Sequence, residues 1–174
     1  MTVSEPAQAH QAEREGRRLA LTAIFEAEFG QRTARRALER RLADEGAEPG
    51  AAAHGGAIVD AVTSHRDTID ALITRLAPQY PVTQLARIDR ALMRCALGEL
   101  LHCPTTPTRV AIAEWVELAR TYSGEPARRL LNGVLGRAAS EATSRGRESR
   151  PPTTETKAEE EPATQEGARD RFDL

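Results

Sequence analysis

The sequence predicts an all-α domain with a disordered C-terminal tail, on three observations. Aromatic residues make up only 3% of the 174 residues, while Ala, Leu, Arg and Glu, all good helix formers, are abundant. Apolar residues recur at three- and four-residue spacing over most of the chain, the period of a single helix face. From Ser144 onward the large apolar residues reduce to Phe172 and Leu174 among Pro, Thr and Glu, a composition that cannot bury enough surface to order itself. The length suits one domain with a real core. Residues 14–143 are assigned to it, 1–13 to a polar, unstructured lead-in, and 144–174 to the tail.

Six helices follow from the pattern. The first spans 14–29, with Ala20, Ala23, Ile24 and Ala27 on one face and Gly30 as its stop. The second spans 33–45 through Ala34, Ala37, Leu38 and Leu42, and Gly46 ends it. "GAEPGAAAHGG" at 46–56 reads as a loop on its Gly and Pro content. The third helix, 57–77, keeps Ile58, Val62, Ile69, Leu72, Ile73 and Leu76 on one side until Pro78 closes it. The fourth, 83–103, has a wide apolar face running from Leu85 to Leu101, which predicts a central, mostly buried position. "PTTP" then breaks the chain, and Thr106 is expected to cap a fifth helix with Pro107 in its first turn. That helix, 107–122, turns Ala111, Trp115, Leu118 and Tyr122 inward. The sixth covers 127–143.

Within the sixth helix lies "RRLLNGVLGRAA". Asn-Gly is a strong hairpin signal, but Leu130, Leu131, Val134, Leu135 and Ala138 around it keep helical spacing. Asn132 and Gly133 are therefore expected inside a helix, where Gly costs about 1 kcal/mol relative to Ala.

Charge and motifs exclude several function classes. Residues 1–143 hold 18 basic and 18 acidic residues, and 144–174 hold 6 and 8. A neutral domain gives no bulk sign of nucleic-acid binding, so such a site must be a local basic patch. No phosphate-loop, dinucleotide-binding, nucleophile-elbow or zinc-protease motif is present, which predicts a non-enzymatic protein without a cofactor. His102 and Cys103 are half a metal site at most, with no further ligands at hand. Glu99, Glu114 and Glu117 are expected to cap helices or pair with arginines. Cys95 and Cys103, about 12 Å apart on one helix, are expected to be reduced thiols of a cytoplasmic protein. No segment suggests a signal peptide or a membrane span.

Three basic clusters stand out: "REGRR" in the first helix, "RTARRALERR" in the second, and "EPARR" opening the sixth. The second is read as an ordinary solvated face. Phe25 and Tyr122 are candidates for stacking on unpaired bases.

"RVAIAEWVELARTYSGEPARRLLNGVLGRAA" (109–139) resembles the C-terminal signature of the NusB family of transcription antitermination factors. "IDRALMRCALGELL" (88–101) is similar to the family's Arg-x-Ala-x-x-Glu-Leu helix, and "RRLALTAIFEAEF" (17–29) to its first helix. Ala113, Gly98 and Leu130 stand where the family carries Asn, Tyr and an aromatic residue. The resemblance implies an all-helical fold of two packed three-helix subdomains, six to seven helices in all. It implies a non-enzymatic factor that binds boxA-type single-stranded RNA with the ribosomal protein NusE and joins an antitermination complex on RNA polymerase. By motif position, Arg14, Arg17, Phe25, Tyr122, Arg128 and Arg129 would form the RNA surface, and Asp89 would face the protein partner. Asn132 and Gly133 would be structural, the glycine permitting close helix approach and the amide bonding a neighbouring backbone. Two alternatives remain: an accessory domain of the kind found in ribosomal RNA cytosine methyltransferases, or a helical interaction module without RNA.

Overall fold

The computed structural model describes residues 5–148, which form seven α-helices and no strand. These are α1 (Glu5–Ala27), α2 (Ala34–Glu45), α3 (Pro49–Ser64), α4 (Arg66–Leu76), α5 (Arg87–His102), α6 (Thr108–Tyr122) and α7 (Glu125–Glu148). A 3-10 turn at Val82–Gln84 leads into α5. Helices α1, α2 and α3 pack on one another, as do α5, α6 and α7. The two sets meet where α5 crosses α1 and α3, and α4 bridges them by touching α3, α5 and α7. Trp115, Leu21, Ile58, Ile73, Leu97 and Leu135 are among the fully buried side chains at their junction. Each such aliphatic side chain contributes about 1.5–3 kcal/mol through burial.

The N-terminal boundaries differ from the sequence reading. The expected lead-in is helical from Glu5, because Ala12 is buried against α3 and His10 and Arg14 reach Glu114. The expected loop at 46–56 is mostly the first half of α3. Its small residues are what lets α1 and α3 touch: a Cβ on Gly16 would lie 2.8 Å from the Ala51 carbonyl oxygen, and one on Gly55 2.8 Å from that of Gly16. Read by composition alone, a Gly/Ala run signals a loop; here it makes a close helix crossing.

Further along, the expected helix 57–77 breaks at His65, which ends α3 and starts α4 with φ −120° and ψ 20°. Its ring stacks on His102 of α5, with centroids 3.7 Å apart and planes 3° from parallel. Thr106 does not cap α6; Pro107 occupies the N-cap position. Thr33 caps α2 by accepting from the Arg36 amide at 3.3 Å, and Gly46 ends it in the left-handed region. Helix α7 continues past 143 to Glu148, so the start of the expected tail is helical, and 149–174 lie outside the described residues. An Arg75–Glu141 ion pair of 2.6 Å ties α7 to α4 near that point.

Candidate nucleic-acid interface

Helix α1 carries Arg14, Arg17 and Arg18 on adjacent turns, and the structure sends them to different places. Arg17 is fully buried. Its Nε donates to Glu99 Oε2 at 3.0 Å and its Nη2 to Oε1 at 2.7 Å. Trp115 Nε1 donates to the same carboxylate at 2.5 Å, and His54 Nε2 lies 3.1 Å from it. Burial alone would raise the Glu99 carboxyl, but the bonds from His54 and Arg17 outweigh it and hold the group at about 2. Arg17 therefore cannot reach a phosphate, which corrects its assignment to the RNA surface. The signal was present in the sequence: Arg17 precedes the buried Ala20, Leu21 and Ile24 by three, four and seven residues, which places it on the inward face.

Arg14 and Arg18 face outward, toward α6 and α7. Arg14 Nε lies 3.1 Å from Glu114, which His10 also approaches at 3.5 Å. The Arg18 guanidinium is held above its ordinary value by the Tyr122 hydroxyl first and then by Glu15, with which it pairs at 2.7 Å. Tyr122 itself is 42% exposed at the end of α6. Glu125 accepts from Arg128 at 2.7 Å and from Arg129 at 3.0 Å, and these two arginines, in that order, hold its carboxyl at about 2. Glu117, paired with Arg120, is pulled below its usual range by that arginine, with Arg14 and Arg128 adding to the effect. One band thus joins Arg14, Arg18, Arg120, Tyr122, Arg128 and Arg129 across three helices. Every arginine in it already has a carboxylate beside it. Exposed pairs of this kind are screened by water and add little stability, so a phosphate can displace the carboxylate at little loss.

Of the remaining candidates, Phe25 lies away from the band and Asp89 meets it only at Ser123. Phe25 is half-buried and packs edge-on against Phe29 at 5.3 Å, and Arg87 caps the Phe29 ring at 4.7 Å. That group sits about 16 Å along α1 from Arg14. Asp89 accepts from the Ser123 hydroxyl at 2.5 Å, at the turn between α6 and α7. Asn132 is exposed, and among the described side chains of α7 the donors are Arg128, Arg129, Ser140, Thr143 and Ser144. A Cβ on Gly133 would meet only Arg137 Nη2, at 3.9 Å. No helix approaches there, so the structural roles expected for Asn132 and Gly133 fall; the close contact lies at Gly16 and Gly55 instead.

The arginine pairing expected for the carboxylates holds: Glu99 with Arg17, Glu114 with Arg14, and Glu117 with Arg120. Among the arginines of α2, Arg35 and Arg40 are exposed and pair with Asp60 and, at 2.8 Å, with Glu26, whereas Arg41 is half-buried and pairs with Glu45 at 3.0 Å. A second internal network escaped the sequence reading. Arg94 is 4% exposed and donates to Asp70 at 2.7 and 2.8 Å and also to Glu28, which Arg90 grips at 2.5 Å. It fastens the end of α1 to α4 and α5. Both cysteines are free and buried; burial pushes the Cys103 thiol up to about 11 and Cys95 higher still. Among the described residues no group of three or more His, Cys, Asp or Glu could hold a metal ion, and no helix is long and apolar enough to cross a membrane.

Comparison with known proteins gives a consistent result. The transcription antitermination protein NusB of Heliobacterium modesticaldum is 35% identical over 128 residues, covering 74% of this chain and 62% of that protein. NusB of Myxococcus xanthus is 36% identical over 132 residues, covering 74% and 94%. The solved NusB of T. maritima superimposes with a TM-score of 0.69 at 30% identity, covering 74% of this chain and 91% of that one. A chain from a complex of the antitermination factors NusB and NusE with dsRNA gives 0.68 at 17% identity, covering 75% and 98%, and speaks to the fold alone. The NusB family model matches residues 14–140, a span that enters all seven helices, and the chain belongs to the NusB family.

Proposed function

We propose that the chain is a bacterial transcription antitermination factor that binds boxA-type single-stranded RNA together with NusE and acts in the cytoplasm, in an antitermination complex on RNA polymerase. The observation that carries this reading is the arginine band of α1, α6 and α7 on a NusB-family fold. In it, Arg14, Arg128 and Arg129 hold phosphates by exchanging Glu114 and Glu125 for them, and exposed Tyr122 stacks on a base. A ring reaches the face of a base only where the strand is unpaired, which supports single-stranded RNA over duplex. Phe25 offers the edge of a half-buried ring at the far end of α1, and Asp89, beside Ser123, is assigned to the partner face. Arg17 acts only by positioning α1.

The test is titration of boxA-type and scrambled RNA, single-stranded and duplex, with and without NusE, over a range of salt. Affinity should fall with salt at a log–log slope of about −0.7 per phosphate neutralised. Replacing Arg128 and Arg129 by Ala should flatten that slope while leaving the helical signal intact. Loss of binding on mutating the α2 arginines, with normal binding by the Arg128/Arg129 variant, would place the site on the wrong face. Absence of RNA binding even with NusE present would leave the protein an interaction module.

A further inference from the structure

Gly133 has no packing reason to be glycine, yet it sits inside a helix. What its missing side chain leaves open is a cleft of about 530 Å³ between α7 and the turn before α5. Arg129, Gly133 and Arg137 occupy successive turns of one face of α7 and line it, with Leu130 beside them and Tyr80 opposite. Tyr80 is 47% exposed. It is held in a turn between Pro78 and Pro81, where its amide donates to the Ala77 carbonyl at 2.9 Å, so the backbone that carries the ring is fixed beside the cleft. Arg137 folds its guanidinium back over Gly133, and among the described residues it has no carboxylate partner, unlike Arg128 and Arg129. The one acid in the cleft, Glu125, is shared with the arginine band.

We propose that this cleft takes one unpaired nucleotide of the RNA strand, with its base on the Tyr80 ring over the bare backbone at Gly133 and its flanking phosphates on Arg129 and Arg137. The inference rests on the RNA-binding reading above and extends the path of the strand beyond Arg128. The chemistry suits this ligand. An aromatic face takes any base, and Arg129, with the Arg137 guanidinium that lies over Gly133, supplies two cations for the phosphates on either side of it. A long side chain at position 133 would displace the Arg137 guanidinium and narrow the cleft in which the base lies. Arg129 belongs to both the band and the cleft, so the two surfaces are continuous.

The experiment uses the full chain with a boxA-type oligoribonucleotide, read by fluorescence anisotropy over a salt series and by photo-cross-linking of halogenated uridine with peptide mapping. Tyr80→Ala should weaken binding between about fivefold and a hundredfold, and Tyr80→Phe should restore it. Arg137→Ala should lower the salt slope by about 0.7. Gly133→Leu should weaken binding without lowering the melting temperature, an outcome that a merely structural glycine would not give. Cross-links should map to the peptide containing Tyr80. RNA binding that depends on Arg128 and Arg129 but is unchanged in the Tyr80, Gly133 and Arg137 variants would overturn the cleft and leave the broader reading standing. Absence of RNA binding by the unmodified protein would overturn both. A nucleoside monophosphate that binds in a Tyr80-dependent way as tightly as the oligonucleotide would overturn the assignment to a strand.

Discussion

Replacing Arg17 with Met tests the internal charge network directly. The methionine fills the space of the arginine stem, but leaves the Glu99 carboxylate buried with only Trp115 and His54 as partners. Breaking a buried ion pair on one side destabilises by about 3–5 kcal/mol. A second route gives a similar size. Glu99 sits at about 2 in the fold against an ordinary 4.5, and at about 1.4 kcal/mol per pH unit that gap is worth about 3 kcal/mol. The sign follows from the direction. The folded value lies below the unfolded one, so the contribution is complete above about pH 5 and is lost as pH falls toward 2. Urea denaturation followed by far-UV circular dichroism measures both effects. Arg17→Met should lower stability by about 3–5 kcal/mol at neutral pH, or about 10–20 °C in melting temperature. The stability gap between the wild type and Glu99→Gln should shrink by about 3 kcal/mol as pH is lowered from about 6 to about 2, because protonated Glu99 comes to resemble the amide. A gap that stays constant over that range, or an Arg17→Met variant within about 1 kcal/mol of the wild type, would refute the account.

Three further outcomes are expected. Gly133→Ala should gain about 0.5–1 kcal/mol, since helix propensity acts there with no neighbour to clash; a loss of stability in urea would reveal an unseen contact. Gly16→Val should lose at least about 1–3 kcal/mol, because its Cβ meets the Ala51 carbonyl at 2.8 Å and neither backbone has room to yield. Equal stability of that variant would mean that α1 and α3 can slide apart. His102 is held below its ordinary 6.5 by burial first and then by His65, so its contribution is present above about pH 6.5 and is lost as pH falls. His102→Gln should flatten the stability profile between about pH 7 and pH 5, and an unchanged profile would remove the stacked pair from the account.

What the sequence revealed was periodicity and punctuation; what it hid was direction and contact across the chain. Gly46 and Thr33 mark the bounds of α2 because caps are local chemistry. The apolar stripe of α5 announced a central helix because burial on several sides widens the stripe. The α1–α3 crossing was invisible, since Gly16 and Gly55 say nothing of one another across 39 positions of sequence. The break at His65 was hidden because the apolar period continues through it, and the His102 ring that stacks there lies on another helix. For the candidate site, Arg14, Tyr122, Arg128 and Arg129 fell on one surface, while Arg17 was drawn in by its neighbours in "REGRR". A run of like charges counts residues and ignores their angle around the helix.

That angle has a consequence for how the surface is made. Successive residues turn by about 100° around a helix, so Arg14 and Arg18 lie about 60° and 100° to the same side of Arg17. The bond from Arg17 to Glu99 therefore acts as a key in a slot. It sets the rotation of α1 about its own axis, and with it the direction in which both outer guanidiniums point. Were α1 free to turn about its axis, those two charges would swing away from α6 and α7, where Arg120, Tyr122 and Arg128 wait. The registration of a three-helix charge pattern is thus kept by an arginine that never meets solvent.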